Sequence, residues 1–369
     1  MKHSLFIIIS VLAGILIALL LAEGILQIHN PFRPRIRYNR IILARNMVER
    51  FENKRIAGLD PVITIKRNCL GFRGPDPPVN FSACRTILTV GGSTTECRYL
   101  SEGDTWPDHL QACLQACDDS IWVNNAGLDG HSTFGHLILM NDYLLGLRPD
   151  LVLMMTGLNE IGRSDLVDQE FENVKEGLQL HSVEGFLKSL GNYSEIISIV
   201  LNLYRYERAR SRGVTHRPFD VRSLNTIVES PQVIAAVLEK HRRRFLQPYE
   251  QRLRKLIELA QGSGIEPVLI TQPALYGDAR DDMTGVELGS ANFNGKSGHL
   301  NWAILQLYNQ VTARVGLATG SLLIDLAEKL PKSSRYYYDS VHFSKDGARA
   351  VAAIVCADLQ AHWQTAEIP

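Results

Sequence analysis

This sequence has no excess charge of either sign. Its 369 residues include 39 basic and 39 acidic side chains, so the formal net charge at pH 7 is +0. Proteins that bind nucleic acid usually carry a basic surface, so we expect no nucleic-acid partner. The sequence also contains no internal repeat and no low-complexity tract. Its length and its 45% hydrophobic content indicate an ordinary globular protein with a large core.

The cysteine and histidine spacings of zinc sites are also missing. The six cysteines form no CxxC pair and no Cys/His cluster, so we predict no metal site and no cofactor. Six cysteines allow up to three disulfides and require none. Cys356 lies in an apolar helical run and is predicted to be a core residue. Cys97 is predicted to pack or to form a disulfide rather than to act as a nucleophile.

One long uncharged apolar run is present, at residues 5–22. Only Ser10 and Gly14 interrupt it, and it is long enough to span a bilayer as a helix. A cleaved signal peptide is the alternative, but Leu20-Leu21-Ala22 lacks a small residue three places before the cut. We therefore predict a short tail at 1–4 and an uncleaved single-pass signal-anchor helix at 5–26.

The flanking charges leave the orientation of this helix open. Arg33, Arg35, Arg37 and Arg40 follow it and by the positive-inside rule favour a cytoplasmic body. A short start containing Lys2 before a long domain favours translocation instead. We expect the long domain that follows the helix on the extracytoplasmic, periplasmic side of the membrane.

Strand and helix signals alternate after a basic, weakly patterned linker at 27–67. Alternation of this kind predicts βαβ units and a parallel sheet covered by helices on both faces. Ligands in such sheets bind beyond the carboxyl ends of the strands. Ser344 is a plausible N-cap of the last helix. The predicted strands are 86–90, 121–125, 150–156, 267–271 and 321–325, and the predicted helices are 108–116, 134–145, 249–260, 302–318 and 344–363.

Two segments interrupt the alternation, at about 163–230 and 274–298. Long excursions in compact domains are often lids or binding loops, and extra helices packed on the outside are the alternative. The first excursion has apolar stretches at 178–190 and 196–201, and then a basic run. That pattern also fits a helix resting on a lipid surface. The basic run consists of Arg205, Arg208, Arg210 and Arg212.

Candidate catalytic residues follow the predicted strands and precede the last helix. Ser93 stands in Gly-Gly-Ser-Thr after the first strand, where a strand-to-helix turn exposes a nucleophile. His342 is predicted to be the base, and Asp339, three residues earlier, to orient it. The N–H groups of Ser93 and Gly127 and the amide of Asn159 are predicted to hold an oxyanion. Gly127 suits that role because a missing Cβ lets the backbone approach a ligand.

Other interpretations of these motifs fit less well. Thr95 replaces the last glycine of the GxSxG elbow of α/β-hydrolases, and no lysine follows as it would in a phosphate loop. A lone serine after two glycines is usually a turn or a cap. Lone histidines such as His131, His136 and His299 usually lie on the surface or in the core. Asp325, at a strand end, is an alternative carboxylate with a poorer spacing.

Together these segments resemble the SGNH hydrolases, also called GDSL-type esterases and lipases, over roughly residues 68–360. In that family a Ser, a Gly, an Asn and a His stand in four blocks in this order, with an Asp three residues before the His. The matching residues are Ser93, Gly127, Asn159, His342 and Asp339.

Two blocks depart from the family pattern, and neither departure removes a catalytic atom. Gly-Gly-Ser replaces the Gly-Asp-Ser of many members, and Glu160 stands where the family often has Asp. The resemblance implies a three-layer α/β/α sandwich with a central, mainly parallel five-stranded sheet of the flavodoxin-like kind. This SGNH hydrolase domain would cover 68–363 and follow the transmembrane helix. The closest likeness is to a membrane-anchored bacterial subgroup.

The resemblance implies a serine esterase that hydrolyses an ester-linked acyl group through an acyl-enzyme intermediate. An O-acyltransferase that passes the acyl group to a glycan or lipid hydroxyl would use the same residues. A catalytically silent binding module with this fold is a third alternative. The expected partners are an acyl-ester small molecule, a lipid or a cell-envelope glycan, and the membrane through the N-terminal helix.

Overall fold

The structure is a computed structural model, and it describes residues 2–29, 36–37, 40–163, 190–191, 193–211 and 216–366. The chain divides into two compact units. Unit 1 comprises Met1–Ile42 and Gln169–Ser211, and unit 2 comprises Leu43–Asp168 and Arg212–Pro369.

Helices and strands alternate through most of the described residues. The helices are α1 (Lys2–Ile28), α2 (Ser93–Glu96), α3 (Trp106–Gln115), α4 (Thr133–Leu139), α5 (Leu145–Leu147), α6 (Glu195–Ser211), α7 (Pro231–Arg244), α8 (Leu246–Gly262), α9 (Gly298–Thr319), α10 (Leu326–Lys329) and α11 (Lys345–Ala366). The strands are β1 (Ile36–Arg37), β2 (Arg40–Ile41), β3 (Met47–Glu52), β4 (Val62–Arg67), β5 (Arg85–Gly91), β6 (Ile121–Asn125), β7 (Leu151–Met155), β8 (Glu266–Ile270), β9 (Asn292–Phe293), β10 (Lys296–Ser297) and β11 (Leu322–Ile324). Short 3₁₀ turns at Phe81–Ala83, Leu158–Glu160 and Val221–Ser223 and a π-helical turn at Met140–Leu144 complete the set.

In unit 1, α1 is the predicted apolar helix. Ser4–Ile28 has 25 residues, and an 18-residue window within it has a mean hydropathy of 3.1, so its length and composition allow it to cross a membrane or to serve as a signal sequence. The Glu23 carboxylate accepts hydrogen bonds from the backbone N–H groups of Glu195 (2.8 Å) and Ile196 (3.1 Å), which begin α6. Glu23 thereby caps α6. The first half of α6 contains 196–201, the second apolar stretch of the first predicted insertion.

Some residues singled out in the sequence lie outside the described ranges. In the basic run of the first insertion Arg212 is outside them, as are Arg33 and Arg35 beyond the apolar helix. The same is true of residues 178–189, which make up nearly all of the first apolar stretch of that insertion.

The centre of unit 2 is a five-stranded sheet of order β11-β8-β7-β5-β6. Every neighbouring pair in it is parallel. Numbered along the chain, the order is 2-1-3-4-5, the flavodoxin-like arrangement that was predicted. All five residues of β7 are buried, which explains its unbroken apolar sequence. The strand order reverses between β5 and β7, and ligands in such sheets bind at this switch point.

Helices flank this sheet, so the predicted three-layer α/β/α fold is confirmed. The helix α3 packs against α11, and α8 packs against α4 and α9. The Thr105 hydroxyl accepts from the Asp108 N–H at 3.3 Å and the Asp108 carboxylate accepts from the Thr105 N–H at 3.2 Å, which fixes the start of α3. The Ser344 hydroxyl accepts from the Gly347 N–H at 3.1 Å, which confirms the predicted N-cap of α11.

A disulfide joins α3 to α11. Cys113 and Cys356 are bonded across 243 residues of sequence. Cys356 is fully buried, so its prediction as a core residue is confirmed, and the disulfide is an addition that its apolar surroundings did not indicate. Cys97 is buried and free.

The range 27–67, predicted as a linker, contains a hairpin in unit 2. The strands β3 and β4 pair antiparallel over six residues each. In β4, Ile63, Ile65 and Arg67 are buried while the residues between them are more exposed. This period of two was hidden because Val62 stands on the exposed face and an arginine occupies a buried position.

The predicted excursion at 274–298 packs into the core of unit 2. Its Leu275, Tyr276, Leu288 and Phe293 are buried in the main hydrophobic cluster, and β9 and β10 pair antiparallel within it. Its apolar residues follow no helix or strand period, so the sequence alone indicated only a loop.

Candidate active site

Ser93 lies at the sheet's switch point, directly after β5. It is the first residue of α2 and is 4% exposed. A Cβ on Gly92 would lie 2.2 Å from Asn159 Nδ2, so only glycine lets this turn approach that amide so closely. The sequence Gly-Gly-Ser thus brings the first block against the third.

Ser93, His342 and Asp339 form one hydrogen-bonded chain. His342 Nε2 lies 2.8 Å from Ser93 Oγ, and His342 Nδ1 lies 2.7 Å from Asp339 Oδ2. Asp339 Oδ1 accepts from the N–H groups of Val341 (2.9 Å) and His342 (2.8 Å). A carboxylate only accepts, so Nδ1 carries the proton and Nε2 is free to accept from the Ser93 hydroxyl.

Burial and charge shift the pKa values of His342 and Asp339 in opposite directions. Burial by itself would lower the pKa of His342, but the Asp339 carboxylate beside it outweighs burial and raises that pKa above its usual value. Burial would raise the pKa of Asp339, but the charge and hydrogen bonds of His342 hold it below its usual value. The alternative carboxylate, Asp325, instead accepts a hydrogen bond from Thr271 at 2.7 Å.

The three predicted oxyanion donors differ in the hydrogen bonds that they already make. Ser93 N–H is at the first position of α2, where a helix offers no partner. Asn159 Nδ2 donates one proton to the His131 carbonyl at 2.8 Å and has a second proton to donate. Gly127 N–H donates to Asn125 Oδ1 at 2.9 Å, so it would have to exchange that partner to bind an oxyanion.

The structure gives a further reason for a glycine at 127. A Cβ there would lie 2.4 Å from the backbone nitrogen of Glu96 and 2.7 Å from the carbonyl carbon of Thr95. The close approach of its turn to α2 therefore requires glycine at position 127, whatever ligand binds there.

Glu160, the departure from the family's aspartate, forms a buried ion pair. Its Oε2 lies 2.6 Å from Arg252 of α8, and both side chains are almost wholly buried. Its Oε1 accepts from the Thr133 N–H at 2.5 Å, and Arg252 Nε donates to the Thr133 hydroxyl at 2.8 Å. The longer side chain thus ties the turn that carries Asn159 to α4 and α8.

Two buried arginines that no sequence motif marks hold α2. Arg67, in β4, pairs with Glu96 at 2.5 Å, and Glu96 also accepts from the Asp129 N–H at 2.6 Å. Arg73 donates to the carbonyls of Glu96 (2.6 Å) and Cys97 (2.9 Å) at the end of α2. Both arginines lie before β5, the first strand of the central sheet along the chain. Arg67 lies within the range 27–67, which was predicted as a basic linker.

His216 is a further histidine at the site, and nothing in the sequence around it predicted that it would lie there. Its ring stacks on His342 with centroids 4.0 Å apart and planes 27° apart. Its Nδ1 lies 2.6 Å from the Tyr338 hydroxyl and its Nε2 lies 3.4 Å from Asp129 Oδ2.

The lone histidines His131, His136 and His299 lie away from this stack. His299 is exposed and pairs with Asp278 at 2.8 Å. His136 is buried, and burial lowers its pKa to about 4. His131 stacks on His136 with centroids 6.5 Å apart.

A cavity of about 340 Å³ lies beside Asp339, within the usual range for small-molecule sites. Its lining includes Phe219, Val221, Leu275, Met283 and Tyr338. A second space, of about 10 Å³, lies against Gly92 and Asn159 and has room for about one water molecule.

Three side chains at the site carry atoms that are able to bind a metal ion. His216, Asp339 and His342 offer ligand atoms within 4.8 Å of one another. However, both nitrogens of His342 and Asp339 Oδ2 already make the hydrogen bonds of the Ser93 chain. The donor set therefore fits a hydrogen-bonded triad better than an ion.

Comparison with known proteins identifies a family. The model of the GDSL-like lipase/acylhydrolase family matches residues 89–350, which is more than half of the chain and contains all five predicted site residues. No curated protein matches the chain.

Several solved structures are similar to the chain at low identity. An acetylxylan esterase, Axe2 from Geobacillus stearothermophilus, is 16% identical, with a TM-score of 0.42 over 74% of this chain and 94% of that one. LAE5, an α/β hydrolase enzyme from the metagenome of Lake Arreo, is 16% identical, with a TM-score of 0.43 over 77% and 98%. A lipase/acylhydrolase from Enterococcus faecalis is 17% identical, with a TM-score of 0.40 over 75% and 96%.

Proposed function

Since this chain belongs to the GDSL-like lipase/acylhydrolase family and is an ester-hydrolysing enzyme, we propose that Ser93 is its nucleophile, with His342 as the base and Asp339 orienting the base. The observation that carries the proposal is the contact of 2.8 Å between Ser93 Oγ and His342 Nε2, continued to Asp339 at 2.7 Å. A serine hydroxyl becomes a useful nucleophile only beside such a base.

The reaction follows from these contacts in two steps. Ser93 Oγ attacks the ester carbonyl carbon while its proton passes to His342 Nε2, and the Asp339 carboxylate stabilises the imidazolium. The N–H of Ser93 and the free proton of Asn159 hold the oxyanion, each worth about 3 kcal/mol in the transition state. Gly127 N–H joins them if it releases Asn125. His342 then protonates the leaving alcohol, and water, activated by His342, releases the acyl group from Ser93.

The proposed substrate is an ester-linked acyl group on a lipid or a cell-envelope glycan. Support comes from α1, which is apolar enough to hold the enzyme at a membrane where such esters occur. The cavity beside Asp339 has the volume for an acyl chain or a sugar ring; its lining mixes apolar and polar residues and includes Asp339 but neither Ser93 nor His342.

We further propose that α1 is retained as an anchor and that the catalytic domain is extracytoplasmic. The disulfide between Cys113 and Cys356 supports this orientation, because disulfides form and persist in oxidising compartments. A C-terminal reporter that is active only in the cytoplasm would contradict this orientation, and a mature chain starting near Glu23 would contradict the anchor.

Ester turnover by variants tests the triad. We expect Ser93→Ala and His342→Ala each to lower kcat on p-nitrophenyl esters by about 10⁴-fold or more, because a triad acts as a unit. His299→Ala is the matched control, since His299 is exposed and pairs with Asp278. Wild-type turnover in either triad variant would refute the assignment.

An acyltransferase is the second candidate because a glycan or lipid hydroxyl can attack the same acyl-Ser93 intermediate in place of water. Incubating the enzyme with an acyl ester and a glycan acceptor separates the two functions. Free acid as the main product supports the hydrolase, and acylated glycan as the main product supports transfer. A folded protein that binds glycan but produces neither would be a silent binding module.

A further inference from the structure

His216 covers one face of the proposed catalytic base. The two imidazole rings are 4.0 Å apart at their centroids, with 27° between their planes. The His216 side chain is only 10% exposed, so the contact is well shielded from water. The hydrogen bonds of His342 to Ser93 and Asp339 both lie at the edge of its ring, whereas His216 contacts its face.

His216 is itself held from both sides. Because the Asp129 carboxylate only accepts, the Nε2 facing it at 3.4 Å carries the proton. Nδ1 therefore accepts from the Tyr338 hydroxyl at 2.6 Å. Burial keeps the pKa of Tyr338 well above its usual value, so that hydroxyl stays protonated. The ring of Tyr99 lies 4.8 Å from His216 on another side.

We propose that His216 is a positioning residue for His342: by stacking on the imidazole it fixes the plane of the base, so that Nε2 stays aimed at Ser93 Oγ. The inference rests on the proposed role of Ser93 and His342. The imidazole can still rotate about its Cβ–Cγ bond within the range that its two edge hydrogen bonds tolerate, and a ring stacked on its face narrows that range. Proton transfer needs this alignment, since a misplacement of about 1 Å can cost about a hundredfold in rate.

The same stack also bears on the charge that develops during the reaction. When His342 takes the Ser93 proton it becomes a cation, and the face of an uncharged aromatic ring attracts a cation. The charged or titratable groups that face His216 are Tyr99, Asp129, Tyr338, Asp339 and His342. Burial and the nearby His342 lower the pKa of His216, so it is neutral when His342 is charged.

The test is the rate at which a fluorophosphonate probe labels the full-length protein in detergent, for three variants. We expect His216→Ala to slow labelling by about ten- to a hundredfold because the base is free to tilt. His216→Phe keeps a stacked ring without its nitrogens, so its rate should stay within about threefold of wild type. The control His299→Ala removes an exposed histidine and should label at the wild-type rate.

A second readout separates positioning from stability. With a soluble p-nitrophenyl ester, His216→Ala should lower kcat and leave KM nearly unchanged, and His216→Phe should restore kcat. Equal labelling of His216→Ala and wild type would overturn the inference, and so would faster labelling, which would make His216 a cover over the site. Equal losses in the Ala and Phe variants would also overturn it. If wild type itself is not labelled, the proposed function fails rather than this inference.

Discussion

At the scale of single residues, the proposed site depends on three side chains, and neighbouring groups hold them in place. Asp339 is fixed by two backbone N–H groups, and this fixes the proton on Nδ1 of His342. The sequence could predict this much, because Asp339 and His342 are three residues apart on one turn. It could not predict His216, since stacking between residues 126 positions apart leaves no local pattern.

The charge on Asp339 predicts a pH dependence. Only neutral His342 can accept the Ser93 proton, and its pKa is raised above the usual value of about 6.5. Labelling by fluorophosphonate should therefore be lost as the pH falls through a midpoint above about 6.5.

Replacing the carboxylate tests the cause of that shift. In Asp339→Asn the effect of burial on the pKa of His342 is opposed only by the charge of Asp129, so the midpoint should move to lower pH. The plateau rate should fall by about 10⁴-fold, because asparagine favours the wrong tautomer. A midpoint that does not move would show that Asp339 does not set the pKa of His342.

At the scale of elements, five strands and the helices after them place each functional turn. The sequence predicted the strands within one or two residues, because continuous apolar runs are typical of strands buried on both faces. The hairpin of β3 and β4 escaped prediction because its buried positions include Arg67, whose partner Glu96 is 29 residues away. In a sequence, a charged residue that forms a buried ion pair between elements cannot be told from one on the surface.

The buried ion pair of Arg252 and Glu160 should contribute far more to the free energy of unfolding than the pair of Arg254 and Glu250 on α8. Arg252→Ala leaves the Glu160 carboxylate buried without its counter-charge, so the free energy of unfolding should fall by about 3–5 kcal/mol. Arg254→Ala removes a half-exposed pair with Glu250 and should change it by less than about 1 kcal/mol. Urea unfolding of the two variants makes the comparison, and equal losses would contradict the buried role of Arg252.

At the scale of the whole molecule, the chain combines a candidate membrane helix with a hydrolase domain closed by a long-range disulfide. Composition and the order of motifs were enough to predict both the helix and the fold class. The disulfide was not predictable, because six cysteines allow many pairings and only the packing of α3 on α11 selects one.

Removing that disulfide should destabilise the catalytic domain. Replacing Cys113 and Cys356 together with alanine should lower the free energy of unfolding by about 2–5 kcal/mol, since the bond closes a loop of more than 200 residues. Cys69→Ser, at an exposed free cysteine, should unfold like wild type. If wild type and the double variant unfold at the same urea concentration without reductant, the bond does not form.

The most direct test of Ser93 as an activated nucleophile is to treat the full-length protein with a fluorophosphonate and locate the adduct by peptide mass. We predict one adduct, on the peptide that contains Ser93, with labelling nearly abolished in His342→Ala. An adduct on a different residue, or undiminished labelling of Ser93 in His342→Ala, would contradict the triad of Ser93, His342 and Asp339.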